Sequence, residues 1–346
     1  MYDAIVASSA GEEAAYDVVL TDLIWIADFV KRKLIEPVPA SYAREIRSGV
    51  SDMISSAFTY RGELWSFPFL ANMQLLFVNR DILDEAGVRE VPSDLRELVA
   101  AAETVKRKGI LKYPLFDSWK SQEVLVCEFT WMTGAFGGSL SGPDGRPKVN
   151  GEASKRALEF MVLLLDRGLM NPYSLESDEL FTSEVFLNGD AAFTTNWTYL
   201  LRFLKTFPYS KGRMVVAPIP VLDPRSGPPE STVSGFQGLS VPRNSGKKKE
   251  AWDFIRFLAS PEFQREHLSE LPGWKSVWRD PRIGELDPYI GVKLRQLEGV
   301  RNRPNHPEYR AFSSILQDAL SQALRKKKSP REALDEAQRL FERLGS

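Results

Sequence analysis

The stretch Tyr16–Pro37 constrains the fold most, because a strand, a turn and a helix can all be read within it. Asp17-Val18-Val19-Leu20 is a short β-branched, apolar run, too short for a helix and suited to a buried strand. Asp22 stands where strand gives way to helix, and its carboxylate suits an N-cap. Leu23, Ile26, Ala27, Val30 and Leu34 then recur at the spacing of one buried helical face, and Pro37 is expected to stop the helix. Trp25 falls off that stripe, roughly 200° round from Leu23 at about 100° per residue. It lies in the first turn beside Asp22. In open α/β sheets ligands bind beyond the carboxyl ends of the strands. An acid and an indole placed there would hydrogen-bond a polar ligand and stack on its flat face. The plainer alternative has Asp22 only capping the helix and Trp25 packing on a neighbouring loop.

Length and composition narrow the class. At 346 residues the chain is long enough for two domains, and 43% hydrophobic with 26% charged residues is ordinary for a globular protein. A formal net charge of −1 gives no reason to expect a nucleic-acid partner. The lysine clusters at 247–249 and 326–328 read as solvated faces. Cys127 is the single cysteine, which excludes a disulfide framework and a thiolate metal site and leaves a buried, inert thiol. His267 and His306 are the only histidines, and neither has a metal-ligand neighbour at i+4. HExxH, GxSxG, Walker A and GxGxxG patterns are all absent, so no metal or cofactor is expected. No apolar stretch approaches a membrane span, and Met1-Tyr2-Asp3-Ala4-Ile5 has neither the basic nor the apolar region of a signal peptide. Eight tryptophans is a large number for a chain with no evident cofactor chemistry.

Further along, residues 4–15 read as a helix end and a turn. Gly62–Phe69 reads as a turn and strand, and Met73–Arg80 as a long strand continuing into Asp81-Ile82-Leu83. Helices are expected after Pro92-Ser93, around Cys127 and Trp131, over Glu152–Arg167 and over Phe181–Leu187. Tyr113–Trp119 is a strand or loop, and 141–145 has turn chemistry. Ala191–Thr195 is a strand that ends in Asn196-Trp197 and leads to a helix, repeating the order strand, polar residue, tryptophan, helix of the opening stretch. Gly235–Val241 is a strand after a Pro-, Gly- and Ser-rich stretch at 215–232. Helices follow over Lys247–Ala259, from Ser260-Pro261, and over Tyr309–Arg325, and Ser329-Pro330-Arg331-Glu332 is a capping box opening the last.

Four blocks, Tyr16–Pro37, Gly62–Leu83, Phe186–Leu200 and Gly235–Glu266, together with the final helices, resemble the family 1 extracellular solute-binding proteins of ABC importers, in that family's order. The maltose/trehalose-binding group is the most similar. The resemblance implies an α/β, two-lobe periplasmic-binding-protein-like (type II) fold with a parallel sheet and hinge crossovers, closing on a ligand. The lobes would be 1–72 plus 240–302 and 73–239 plus 303–346. It implies a small oligosaccharide as ligand, ABC permease subunits as partners, a monomer, no catalysis, and a periplasmic or cell-surface location. Carried over position by position, Asp22 and Trp25 would line the cleft from one lobe, and Trp119 and Trp197 from the other. Asn72 stands at the first crossover, where the family usually has an acid. Phe236 and Gln237 stand at the second, where it often has Gly-Gly-Trp. Trp274 stands in a loop that often carries an arginine. For Trp119 and Trp274 core packing is an equal alternative.

Sugar rings have apolar faces and hydroxyl edges, so aromatic plates with Asp, Asn and Gln suit them. A glycoside hydrolase is the rival, but it needs two matched carboxyls that the sequence does not nominate. A polyamine or oligopeptide binder is the other, and a polyamine site would need more acids than Asp22. In the family the equivalent of Asp17–Leu20 follows a first strand, a helix and a second strand. The resemblance therefore implies that this strand–helix–strand and an export signal are missing.

Overall fold

The computed structural model describes residues 1–9, 11, 13–142, 145–206, 213–224, 231–267 and 270–344, with the backbone alone at 204–206. The expected turn at 141–145 and the loop within 215–232 fall partly outside these residues, at 143–144 and 225–230. The chain divides into two compact units. The first comprises Met1–Asn72, Ser234–Leu294 and Pro304–Tyr309, and the second Met73–Val233, Arg295–Arg303 and Arg310–Ser346. These differ from the expected lobes at 234–239, 295–302 and 304–309. Ladder pairing accounts for the first two. Gln237–Ser240 pairs with strands of the first unit, whereas Val300–Arg301 pairs with Thr232–Val233 of the second. At the third, Lys31 Nζ donates to Glu308 at 2.5 Å and Asn305 Nδ2 to Thr59 O at 3.2 Å, both within the first unit.

In the first unit the strand of the opening stretch runs over Val19–Asp22. Asp22 is its last residue and also the cap of the next turn, its Oδ1 accepting from Ile24 N at 3.2 Å. The helix departs from expectation. It opens as a 3₁₀ turn, Leu23–Trp25, continues as Ile26–Lys31, and stops well short of Pro37. Lys33 is left-handed (φ 57), with Leu34 N bonded to Phe29 O at 2.8 Å and Lys33 N to Val30 O at 3.1 Å. This is the Schellman arrangement, which ends a helix without proline.

Val19–Asp22 and Phe67–Leu70 flank Gln237–Ser240 in a three-stranded sheet, and both ladders are antiparallel. The expected parallel sheet is not what these strands form. Gln237–Ser240 returns from far along the chain, so its direction is free of any βαβ crossover. Before Phe67–Leu70, a two-residue hairpin joins Thr59–Tyr60 to Glu63–Leu64. Arg61 (φ 53) and Gly62 (φ 81) are both left-handed, as a type I′ turn requires.

The sheet of the first unit buries a cluster made only of hydroxyls. Thr21 Oγ1 lies 2.8 Å from Ser66 Oγ and 3.2 Å from Ser240 Oγ, and donates to Gly238 O at 3.0 Å. Residue 238 has to be glycine, since a Cβ there would lie 2.3 Å from Ser66 Oγ and 2.9 Å from Phe67 O.

The second unit is built on Gln74–Asn79, whose six residues are all buried. Phe193–Trp197 and Met214–Ala217 pair with it on either side, antiparallel. Asp81–Leu83 does not extend the strand. Asn79 accepts from Ile82 N at 3.3 Å, and this cap turns the chain into the helix Arg80–Glu85. Leu95–Arg107 is amphipathic as expected, capped by Asp94 and closed by left-handed Gly109. Glu123–Ala135 is different, because every residue after Glu123 is buried and the helix is enclosed on all sides. Cys127 lies in it as a buried free thiol. The last helix, Pro330–Leu344, opens with both halves of the capping box. Ser329 N donates to Glu332 Oε2 at 3.2 Å, and Glu332 N to Ser329 Oγ at 3.3 Å. Among the described residues no helix is long and apolar enough to cross a membrane.

Candidate functional site

In the first unit three strand ends meet at one edge of the sheet. Both outer strands run against Gln237–Ser240, so their carboxyl ends lie beside its start. Asp22 is therefore the cross-strand partner of Gln237, and so, on the other side, is Leu70. Asn72 follows two residues later, its carbonyl accepting from Gly235 N at 2.8 Å. Trp25 sits in the turn after Asp22, half-buried, with Tyr2 edge-on at 5.7 Å and Phe29 at 6.0 Å between ring centroids. Asp22, Asn72 and Gln237 are also half-buried, so planar polar groups and an indole share this edge with access to solvent.

The other two residues expected here from the sequence have buried side chains. Phe236 has no exposed surface, and its carbonyl accepts from Leu23 N at 3.3 Å. Trp274 is only 4% exposed. Its Nε1 donates to Ala259 O at 2.6 Å, and its ring packs against Phe67 and against the open side of Gly49. Both act as core residues, the alternative the sequence left open for Trp274. The anchor of its loop is the backbone bridge between Val50 and Trp274.

In the second unit Trp197 ends Phe193–Trp197 opposite Gln74, and its Nε1 donates to Glu179 Oε1 at 3.4 Å. Asn196 Nδ2 and Tyr199 Oη donate to the main-chain carbonyl of Glu179 at 3.2 and 3.1 Å, which holds that helix start against the strand end. Trp119 is 1% exposed, its backbone N donating to Ser174 O at 2.9 Å. Its indole N–H has no acceptor among the described residues. In contrast, Trp65, Trp131, Trp197, Trp274 and Trp278 all bond theirs within the protein.

Two carboxyls were not singled out from the sequence. Asp117 Oδ1 accepts from Thr195 N at 2.7 Å and from Thr195 Oγ1 at 3.1 Å. Glu128 accepts from Gln74 Nε2 at 2.8 Å and from Trp131 Nε1 at 2.9 Å, and its Oε2 lies 2.9 Å from the same Thr195 Oγ1. Burial pushes Asp117 up to about 6 against the pull of its Thr195 bonds. Burial, and then the neighbouring Asp117, hold Glu128 well above the usual carboxylate range. A signal for Glu128 was available, since it is a lone acid in the apolar run Val124–Met132. The sequence carried no comparable signal for Asp117.

A buried carboxyl pair raises the hydrolase alternative again, and its surroundings answer it. The cavity that Asp117 lines with Trp131, Thr194 and Thr195 measures about 20 Å³, room for one water and far too little for a sugar ring. No group of three or more potential metal-ligating side chains occurs among the described residues.

Comparison with known proteins fits this geometry. The family model described as bacterial extracellular solute-binding protein matches residues 2–277. The chain belongs to this family. It is a solute-binding protein and not an enzyme. A probable ABC transporter-binding protein of Deinococcus radiodurans is 24% identical, over 92% of this chain and 77% of its own length. The sn-glycerol-3-phosphate-binding periplasmic protein of Escherichia coli is 25% identical, over 80% of this chain and 66% of its own. Among solved structures, maltose-bound MalE3 of T. maritima superposes with a TM-score of 0.88 at 24% identity, covering 99% of this chain and 88% of that one. A solute-binding protein of Agrobacterium radiobacter in complex with ribitol gives 0.84 at 23%, with the same coverage. The fold is thus that of the periplasmic binding proteins, as the resemblance implied.

Proposed function

We propose that this solute-binding protein takes a small neutral carbohydrate and delivers it to the permease subunits of an ABC importer, as a monomer in the periplasm or at the cell surface. The observation that carries this reading is the edge of the first unit's sheet, where Asp22, Gln237 and Asn72 meet beside the half-buried Trp25. Side-chain carboxylate and amides there match the hydroxyl edge of a sugar, and the indole matches its apolar face. In the second unit Trp197 and Trp119 are the proposed aromatic contacts, and the Trp119 N–H is a donor that a ligand hydroxyl would satisfy. The four residues proposed at this edge include an acid and no cation, which favours a neutral polyol over a phosphate ester.

Titration of tryptophan emission and calorimetry with maltose, trehalose, ribitol and sn-glycerol 3-phosphate test the reading. Saturable binding of a neutral sugar without turnover is expected. Gln237→Ala and Trp197→Ala should each weaken it by about 1–3 kcal/mol. Binding of the phosphate ester alone, or hydrolysis of any glycoside, overturns it.

A further inference from the structure

Hydrogen counting in the second unit leads to a site apart from the ligand contacts proposed above. Thr195 Oγ1 has one hydrogen, yet it lies 3.1 Å from Asp117 Oδ1 and 2.9 Å from Glu128 Oε2. If both carboxyls were ionised, one of these contacts would set two acceptors against each other with nothing between them. One added proton resolves it. A Glu128 hydroxyl donates to Thr195 Oγ1, which donates to the Asp117 carboxylate, while Glu128 Oε1 still accepts from Gln74 Nε2. Asp117 is the better place for the charge, because a backbone N–H reaches it at 2.7 Å.

Among the described residues the surroundings supply no compensating cation. Among charged groups on the elements packed around Glu128, Glu123 pairs with Arg303, and Glu152 and Glu159 with Arg331. Lys155 pairs with Asp335, and Arg156 lies over the Phe136 ring. Asp166 pairs with Lys326, and Arg301 donates to Val300 O. Asp117 is the charged neighbour that acts on Glu128.

We propose that Asp117 and Glu128 bind a single proton between them through Thr195, held on Glu128, and that the second unit loosens as rising pH removes it. Both groups stand above the ordinary carboxylate range in the folded protein. Hence stability from this proton is fully present below the unfolded value and is lost as pH rises through the folded one.

The experiment is urea unfolding of the whole protein across pH, beside Glu128→Gln, whose amide can donate to Thr195 Oγ1 without a titrating proton, although it no longer accepts from Trp131 Nε1. Above about pH 6, until the shared proton leaves, the wild-type unfolding constant should rise about tenfold per pH unit more steeply than the variant's. Both proteins keep His267 and His306, so their contributions cancel. Parallel pH profiles overturn the proposal. Should Glu128→Gln fail to fold, infrared spectroscopy of the wild type decides. A carbonyl stretch of a protonated carboxyl at neutral pH that disappears at alkaline pH supports the proposal, and no such band overturns it.

Discussion

Each unit buries a polar knot against its sheet, and the two knots are made of different chemistry. In the first unit Thr21, Ser66 and Ser240 close on one another and on Gly238 O. Ser66 can donate to Thr21, Thr21 to Gly238 O and Ser240 to Trp65 O, so every hydroxyl hydrogen here has an acceptor and the knot needs no added proton. In the second, Asp117 and Glu128 meet on one hydroxyl, and carboxylates only accept. That knot is complete only with a proton from outside the sequence's own inventory of donors. A buried network of neutral groups is a matter of geometry alone, whereas one containing acids is also a function of the solvent.

The largest effect that would break this comparison is expected at Glu128. Glu128→Ala leaves Gln74 Nε2 and Trp131 Nε1 without their acceptor, at about 1–3 kcal/mol each. Denaturant unfolding should show a loss of at least about 2 kcal/mol. A loss under about 1 kcal/mol would mean that the carboxyl is not central to its knot. Next comes Gly238→Ala, which forces a methyl against Ser66 and the Phe67 carbonyl and should cost about 1–3 kcal/mol by overpacking. An unchanged denaturation midpoint would show that the sheet has slack there. The smallest effect sharpens the contrast. Thr21→Val should cost about 1 kcal/mol, equally at acid and alkaline pH. A cost that changed with pH would remove the distinction between the two knots.

How much was legible in the sequence follows the same divide between local and distant causes. Caps and stops are local, and the Ser329–Glu332 box, the Ser260 cap and the Asp22 cap stand where residue types alone put them. The early stop at Lys33 was hidden, because a lysine in the left-handed region leaves no mark that glycine would have left. Strand direction was also hidden. Nothing near Val19 tells that its partner is Gln237–Ser240 running the other way. Of the expected ligand contacts, Asp22 and Gln237 are brought together by register, a long-range fact that each residue's own neighbours do not encode. Trp274 was ambiguous because an indole suits a ligand face and a core equally. Its hydrogen bond to Ala259 O settles it as core, and that partner is distant in sequence.

Gly49 gives that core tryptophan a wider meaning. The helix Ala40–Gly49 ends with its last residue under the indole of Trp274, and a Cβ at 49 would lie 2.6 Å from the ring's Cζ3. The clearance is smaller than a methyl group, so residue 49 acts as a gauge of how closely helix and loop may approach. Any side chain there displaces the ring, and the ring cannot move without releasing the Ala259 carbonyl and straining the bridge from Val50 to Trp274. One missing carbon thus holds a helix end, a loop and an indole in a single mutual setting. Two positions more than two hundred residues apart in the chain are bound to change together or not at all.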